Sequence, residues 1–339
     1  MPGLVGHVAS PPATADVSRA LQKLAYFARY ISTTFKHTPA VHVGHVLRPS
    51  RRTEPNTVVS PDGKVAVHLV GHALRVSQPR GDISAARFLE DYLQGTFDPD
   101  SADGGFVGCV VDLNENCLQI FNDRLGTLPV LYAKNARGFA FAPEAKAVFA
   151  TLGLQPRYAP SGVVSLLTAG YCLGDETLFE EIRCLEPASI LRVDLATLEL
   201  KCHRYWKLTY EENKDLKNRS DASAALYEVI KASHETVLDP DSAFDVLLSG
   251  GLDSRCMFAS AVRTGRIPKR AFGWGGQADV PYTDPYIAAK LAAHFGVRYD
   301  FFRYDTDAFL ENAKPWSYTS ELANDNIGWY AEGASVLAN

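Results

Sequence analysis

The feature that most constrains this chain is a rhythm of apolar segments between residues 222 and 304. A helix-period stretch over 222–237 carries Leu226, Val229, Ile230 and Val237 on one side. The short apolar strand FDVLL (244–248) follows, then SGGLDS, then a helical stretch with Met257, Phe258, Ala261 and Val262. RAFGWGG (270–276) reads as a second strand and turn, and RYDFFRY (298–304) as a third strand. Between them the spacing predicts a helix with Asp284 as N-cap and Pro285 at its first position. Ile287, Leu291 and Phe295 share a face of it, and Gly296 is the stop. Strands alternating with helices imply a parallel, doubly wound sheet, because each crossover helix must cover a sheet face.

In such a sheet, ligands bind beyond the carboxyl ends of the strands. Ser249-Gly250-Gly251-Leu252-Asp253-Ser254 occupies that position, between a buried strand and the start of a helix. Two consecutive glycines leave amide groups unshielded and the helix N-terminus adds partial positive charge, so phosphate is the matching guest. Ser249 and Ser254 can donate hydroxyls to phosphate oxygens, and Asp253 can hold the accompanying Mg2+. A tight turn with an N-cap would use the glycines and one serine, but not Asp253 as well as both serines. No lysine follows the glycines, so this is not a Walker loop.

The first half reads as strands joined by turns. VAVHLVGHALRV (65–76) alternates over part of its length, and 105–122 is a hairpin with Asn114, Glu115 and Asn116 as its loop. Residues 129–143 repeat that design around Asn135 to Gly138. A helix fits 83–94, where Phe88, Leu89, Tyr92 and Leu93 share a face, and another fits SGVVSLLTAGY (161–171). The polar run 210–223 has seven charges and no core candidates, and is the best domain boundary.

Composition excludes several classes. A net charge of −5 argues against a nucleic-acid partner. No apolar run is long enough for a membrane span, and the N-terminus lacks signal-peptide character, so a cytoplasmic protein is expected. The six cysteines (Cys109, Cys117, Cys172, Cys184, Cys202, Cys256) show no zinc spacing and read as reduced, mostly buried thiols.

The loop resembles the pyrophosphate loop of ATP pyrophosphatases, and its surroundings narrow the resemblance to the asparagine synthetase family. VLLSGGLDS is similar to that family's loop, and AFGWGG…TDPYIAAKLAAHFGVRYDFF to its next strand, helix and strand. Upstream, DGGFVGCVVDLNENCLQIFNDRLGTLPVLYA and GFAFAPEAKAV resemble the glutaminase half of those enzymes. The segment LGDETLFEEIRCLEPASILRVD…RYWKL resembles the part that joins the halves. The resemblance implies an N-terminal Ntn-hydrolase-like αββα sandwich and a C-terminal doubly wound α/β domain. The expected domains are 1–155, a connecting segment 156–220, and 221–339. It implies ATP and Mg2+ as cofactors, Asp253 as metal ligand, and Leu247 and Trp274 near the adenine, although Trp274 equally fits an ordinary core aromatic.

Two departures qualify it. Where the family's glutaminase half begins Met-Cys-Gly, this chain begins Met1-Pro2-Gly3, so the nucleophile is replaced by Pro2. The family's glutamine-holding Asn-Gly-Glu reads Val70-Gly71-His72. Asp82 stands where a substrate-binding acid is expected, and Arg48 matches the family's arginine loosely. Together these imply a degenerate glutamine site and no glutamine hydrolysis. At the other end, the family's acidic Gly-rich motif would follow a helix expected at 325–338, and the chain reads as C-terminally truncated at Asn339.

The leading expectation is therefore an ATP-dependent, amide-forming ligase that activates a carboxylate as an acyl-adenylate without hydrolysing glutamine. Its substrate would be aspartate or, as in the β-lactam synthetase and lasso-peptide cyclase branch, a molecule cyclised on itself. Glu321 is the downstream acid placed nearest the substrate. The alternative is a truncated or pseudoenzymatic nucleotide-binding scaffold or regulatory protein. A homodimer is a possible assembly; no nucleic acid and no membrane partner is expected.

Overall fold

The structure, a computed structural model, describes residues 3–47, 56–75, 83–213, 215–238, 243–304 and 306–321. It divides into two compact units. The first comprises the described residues up to 208 together with 318–321, and the second the described residues of 209–317.

In the first unit the chain runs β1 (Gly3–Ala9), α1 (Ser18–Leu24), β2 (Ile31–Thr38), β3 (Val41–Leu47), β4 (Thr57–Val59) and β5 (Val65–Arg75). After α2 (Ala85–Leu93) come β6 (Ala102–Asp112), β7 (Cys117–Asn122), β8 (Leu131–Asn135) and β9 (Gly138–Ala142). Then follow α3 (Ala145–Leu152), α4 (Pro160–Ala169), β10 (Arg183–Cys184), β11 (Ser189–Asp194) and β12 (Leu200–Arg204). The strands form two six-stranded antiparallel sheets, ordered β10-β8-β9-β1-β3-β2 and β12-β11-β7-β6-β5-β4.

The central strands are buried on both faces, and the alternation of their side chains sorts them into layers. Leu4, Val8, Val43, Val70, Val107, Val111, Ile120 and Phe139 fill the space between the sheets. Val5, Val46 and Ala140 point the other way, under α1 and α3, through Leu21, Leu24, Val148 and Leu152. Phe106, Val110 and Phe121 do the same under α2, where they meet Phe88 and Leu89. The result is a four-layer αββα sandwich of the Ntn-hydrolase-like kind, the fold class the sequence motifs imply.

Both predicted hairpins form, with Val107 opposite Asn122 in one and Leu131 opposite Ala142 in the other. The NDRLG stretch turns on a buried carboxylate. Asp123 accepts hydrogen bonds from the amides of Phe106, Leu125 and Thr127 and from the Thr127 hydroxyl, at 3.0–3.2 Å. Buried and satisfied in this way, it fixes the turn that returns the chain from β7 to β8.

Several expectations change in detail. On α2, Phe88 and Leu89 are buried but Leu93 is 54 % exposed, so the apolar face extends past the surface it covers. Residues expected to connect the two halves instead contribute β10, β11 and β12 to the sheets of the first unit. Of the six cysteines, all free, only Cys109 and Cys117 are buried; Cys172 and Cys184 are half-buried, and Cys202 and Cys256 are exposed.

The second unit holds α5 (Arg219–Val237), β13 (Asp245–Leu247), α6 (Leu252–Arg263), β14 (Arg270–Gly275), α7 (Asp284–His294), β15 (Tyr299–Arg303) and most of α8 (Thr306–Ser320). Its sheet is parallel, with order β13-β14-β15 and register Leu247–Phe272 and Trp274–Phe302. Leu248, Phe258, Ala271, Ala288, Ala292 and Val297 form its small core. The polar run expected as a boundary contains the start of α5, where the Asn218 side chain accepts from the Ser220 and Asp221 amides. Leu226, Val229 and Val237 do lie on one side of α5, yet they are 60 %, 66 % and 62 % exposed. The start of α7 lies one residue earlier than expected. Thr283 is the N-cap, without a side-chain cap bond, which puts Asp284 and Pro285 inside the first turn. Gly296 ends that helix with a left-handed φ of +68°, as the sequence predicts. The helix expected at 325–338 lies outside the described residues.

Candidate functional site

β13 ends at Leu247, α6 begins at Leu252, and the loop between them contains the Ser-Gly-Gly triplet. Gly251 is the N-cap of α6, with no side-chain cap bond, and Asp253 lies in the first turn. The loop closes through its serines. Ser249 Oγ and Ser254 Oγ are 2.8 Å apart, the Ser249 amide donates to Ser254 Oγ at 3.2 Å, and the Gly251 amide donates to Ser249 Oγ at 3.1 Å. Both hydroxyls, expected as phosphate donors, thus brace the turn on which the helix starts. Asp253 is exposed, so its carboxylate is available at the mouth of the loop.

The glycines have a packing reason as well as a chemical one. A Cβ built on Gly250 would lie 2.7 Å from Asp284 Cα, at the start of the neighbouring helix α7. At Gly251 the same Cβ would meet only Ser249 Oγ, at 3.1 Å. Gly250 is therefore required for α6 and α7 to approach, and Gly251 leaves the N-terminal face of α6 open. Leu247 is the last residue of β13 and Trp274 the last but one of β14. Because Leu247 pairs with Phe272, Leu247 and Trp274 share one face of the sheet at its carboxyl edge. Leu247 is 39 % exposed and Trp274 half-buried.

The expected glutamine site fares differently. Gly71 has a left-handed φ of +98°, and a Cβ there would lie 2.2 Å from the carbonyl oxygen of Gly105, so the position requires glycine. Beside it is a depression lined by Gly3, Leu4, Val70, Val107, Leu128, Pro129, Val130 and Pro143. Among the described residues its lining is apolar. Pro2, Arg48 and Asp82 lie outside the described residues.

Glu321, expected as the acid nearest the substrate, lies in the first unit with its carboxylate engaged by backbone amides. Its carboxylate accepts from the amides of Ala145 (2.5 Å) and Lys146 (2.7 Å), which caps the N-terminus of α3 within the first unit. Burial raises its pKa, against the opposing pull of the Lys146 ammonium. With both oxygens engaged, the side chain is accounted for by this cap.

Sequence inspection missed two arrangements. One is the position of Asp284 against the loop, because Asp284 reads naturally as a helix cap. The other is a histidine relay between the sheets. His37 Nε2 lies 2.9 Å from His68 Nε2, His45 Nε2 lies 3.2 Å from His68 Nδ1, and Thr57 Oγ1 lies 2.9 Å from the same Nδ1. His68 uses both ring nitrogens, so these rings form a chain and not a shell around one ion. Among the described residues no group of three or more His, Cys, Asp or Glu is placed to hold a metal ion. The signal for the relay was His45 and His68 standing at inward positions of the apolar strands VHVGHVL and VAVHLVGH.

The two units thus comprise an αββα sandwich and a parallel α/β unit with a candidate polyphosphate loop. Residues 94–206 match the family model described as a glutamine amidotransferase domain. A search of the curated proteins finds no match to the chain. Among solved structures, a glutamine phosphoribosylpyrophosphate amidotransferase from B. subtilis, complexed with ADP and GMP, is 12% identical, with a TM-score of 0.41 over 88% of this chain. The chain spans 65% of that protein's length. A second, the allosteric regulatory enzyme of purine biosynthesis, is 11% identical with a TM-score of 0.41, covering 95% of this chain and 78% of the other. A glutamine-dependent NAD+ synthetase from Acinetobacter baumannii, in complex with ADP, is 18% identical with a TM-score of 0.25, covering 48% of this chain and 29% of the other. No helix among the described residues is long and apolar enough to cross a membrane.

Proposed function

We propose that the chain is an ATP-dependent, amide-forming ligase of the asparagine synthetase type that does not hydrolyse glutamine. The observation that carries this is the strand–SGGLDS–helix junction at the carboxyl edge of a parallel sheet, with Asp253 exposed at its mouth. The amides at the N-terminus of α6 would bind the polyphosphate, and Leu247 and Trp274 would flank the base. A substrate carboxylate would then attack the α-phosphorus, giving an acyl-adenylate and pyrophosphate, and an amine would attack the acyl carbon, forming the amide with release of AMP and a proton. The carboxylate oxygen of Asp253 is of the chemistry that holds Mg2+, usually alongside water and phosphate oxygens. When bound, Mg2+ supplies charge neutralisation at the departing pyrophosphate.

The apolar depression beside Gly71, with Pro2 in place of the nucleophile, supports free ammonia or a substrate amine as nitrogen source. Carboxylates such as aspartate are the candidate substrates. The test is to incubate the protein with ATP, Mg2+ and candidate carboxylates in hydroxylamine, which intercepts an acyl-adenylate. Hydroxamate that depends on ATP and on one carboxylate is the expected result. Tight ATP binding without hydroxamate from any carboxylate would favour a nucleotide-binding scaffold instead.

A further inference from the structure

α4 (Pro160–Ala169) turns an apolar face to solvent. The helix itself is well formed: Pro160 stands at its start, and Gly170 closes it in the left-handed conformation, its amide bonded to the Leu166 carbonyl. It approaches the neighbouring chain through Gly162, where a Cβ would lie 2.1 Å from the Thr177 carbonyl oxygen. Val163, Ser165 and Leu166, on the same side, are half-buried. The opposite face carries Pro160, Ser161, Val164, Leu167 and Thr168, all exposed, with Val164 at its centre. A surface helix ordinarily shows charge to water on that face. Here Val164 is 59 % and Leu167 79 % exposed, and residues 158–174 contain no Asp, Glu, Lys, Arg or His. Tyr158 before the helix, and Tyr171 and Leu173 after it, are exposed as well and extend the patch. The two tyrosines alone present on the order of 100 Å² each. The whole reaches the size of the largest apolar patches that monomeric proteins leave open.

We propose that this face of α4 is the contact between two copies of the chain, paired antiparallel about a two-fold axis that passes Val164. A two-fold contact sets a patch against itself, so a charged patch repels its own copy and an uncharged one does not. That condition weighs on a chain whose net charge is −5. The order of side chains is self-complementary too. Val164 is at the middle of the helix, with Ser161 one turn before it and Leu167 one turn after. Antiparallel pairing about Val164 brings Leu167 of each copy over the small Ser161 of the other, a ridge into a gap and not against a second leucine. Two turns out, it brings the exposed Arg157 toward Tyr171 of the second copy, a guanidinium toward an aromatic face. A partner that recognises charge finds nothing to hold on this face. The area lies at the low end of what holds a dimer, so the association is a weak one. It is independent of the chemistry proposed for the 249–254 loop.

The experiment is sedimentation equilibrium of the full chain from about 1 to about 100 μM, for wild type, Val164→Lys, Val164→Glu and, on a different exposed apolar face, Leu226→Lys. All three variants change exposed side chains, and circular dichroism confirms that each is folded. Wild type should dimerise with a Kd on the order of 10 μM. Leu226→Lys should leave that value unchanged. Val164→Lys and Val164→Glu should each weaken it at least about tenfold, because each sets two like charges together at the axis. An equimolar mixture of those two should recover the dimer, since opposite charges then meet. Wild type that stays monomeric throughout, or a dimer undiminished in Val164→Lys, would overturn the proposal. A monomer that co-sediments with neutral phosphatidylcholine vesicles would overturn it in favour of a lipid surface. A monomer that Val164→Lys destabilises in urea would overturn it in favour of another part of the same chain.

Discussion

Acidification from pH 7 to 5 is expected to cost the first unit on the order of 5 kcal/mol of stability. The cause is the chain of His37, His68 and His45, which crosses from one sheet to the other with Thr57 as its polar neighbour. Burial pushes His37 and His45 down to about 4, and holds His68 well below its ordinary value. In the unfolded chain each would take up its proton near pH 6.5. As pH falls through that value the unfolded state binds protons that the native state refuses, so stability declines from about pH 6.5 toward 4. Between pH 7 and 5 His37 and His45 each contribute about 2 kcal/mol of that loss, and His68, also held down by burial, adds to it in the same direction. His7 and His42, lowered chiefly by burial, act in the same direction. Asp16, whose pKa is depressed chiefly by the Ser18 amide, adds its own loss at lower pH, whereas Glu321, raised by burial, takes up its proton above the ordinary carboxylate range and offsets part of the loss. Amide hydrogen exchange in β3 and β5, followed across the window, measures the effect. Protection that stays level from pH 7 to 5, after correction for intrinsic exchange, would show that the relay is not buried as described.

Phe121→Ala should be the most damaging single truncation in the first unit, at about 3–5 kcal/mol. The ring is fully buried on the α2 side of its sheet, with centroids 5.4 Å from Phe88, 5.1 Å from Phe97 and 6.3 Å from Phe106. Removing it leaves three aromatic partners without their common neighbour, in a layer whose other wall is one short helix. Phe121→Leu, which keeps most of the volume, should cost less than about 1.5 kcal/mol. Denaturant unfolding of the two variants checks the difference. Equal small losses would mean that α2 is not held by this cluster.

Much of this architecture is legible in the letters because local rules decide it. The 105–122 and 129–143 hairpins, α2 and the strand–loop–helix order of the second unit all follow from periodicity and turn chemistry. What stays hidden is set by partners distant in sequence. Periodicity puts Leu226, Val229 and Val237 on one side of α5, but cannot say that this side is exposed. Arg183 and Cys184 are too short a strand to announce their pairing with Tyr132 and Leu131. Thr283 and Asp284 are both good caps, so the helix start could slip by one residue. At the candidate site, the loop and its glycines are plain in the sequence. The carboxylate that Gly250 admits is not, because it arrives from α7, more than thirty residues later.

The measurement that bears most directly on the proposed chemistry is ATP–pyrophosphate exchange by the full chain, with aspartate and other candidate carboxylates, in wild type and in Asp253→Asn. Carboxylate-dependent exchange in wild type, reduced at least about a hundredfold in the variant, is the predicted result. Exchange that is absent from wild type with every carboxylate, or undiminished in Asp253→Asn, would contradict adenylation at the 249–254 loop.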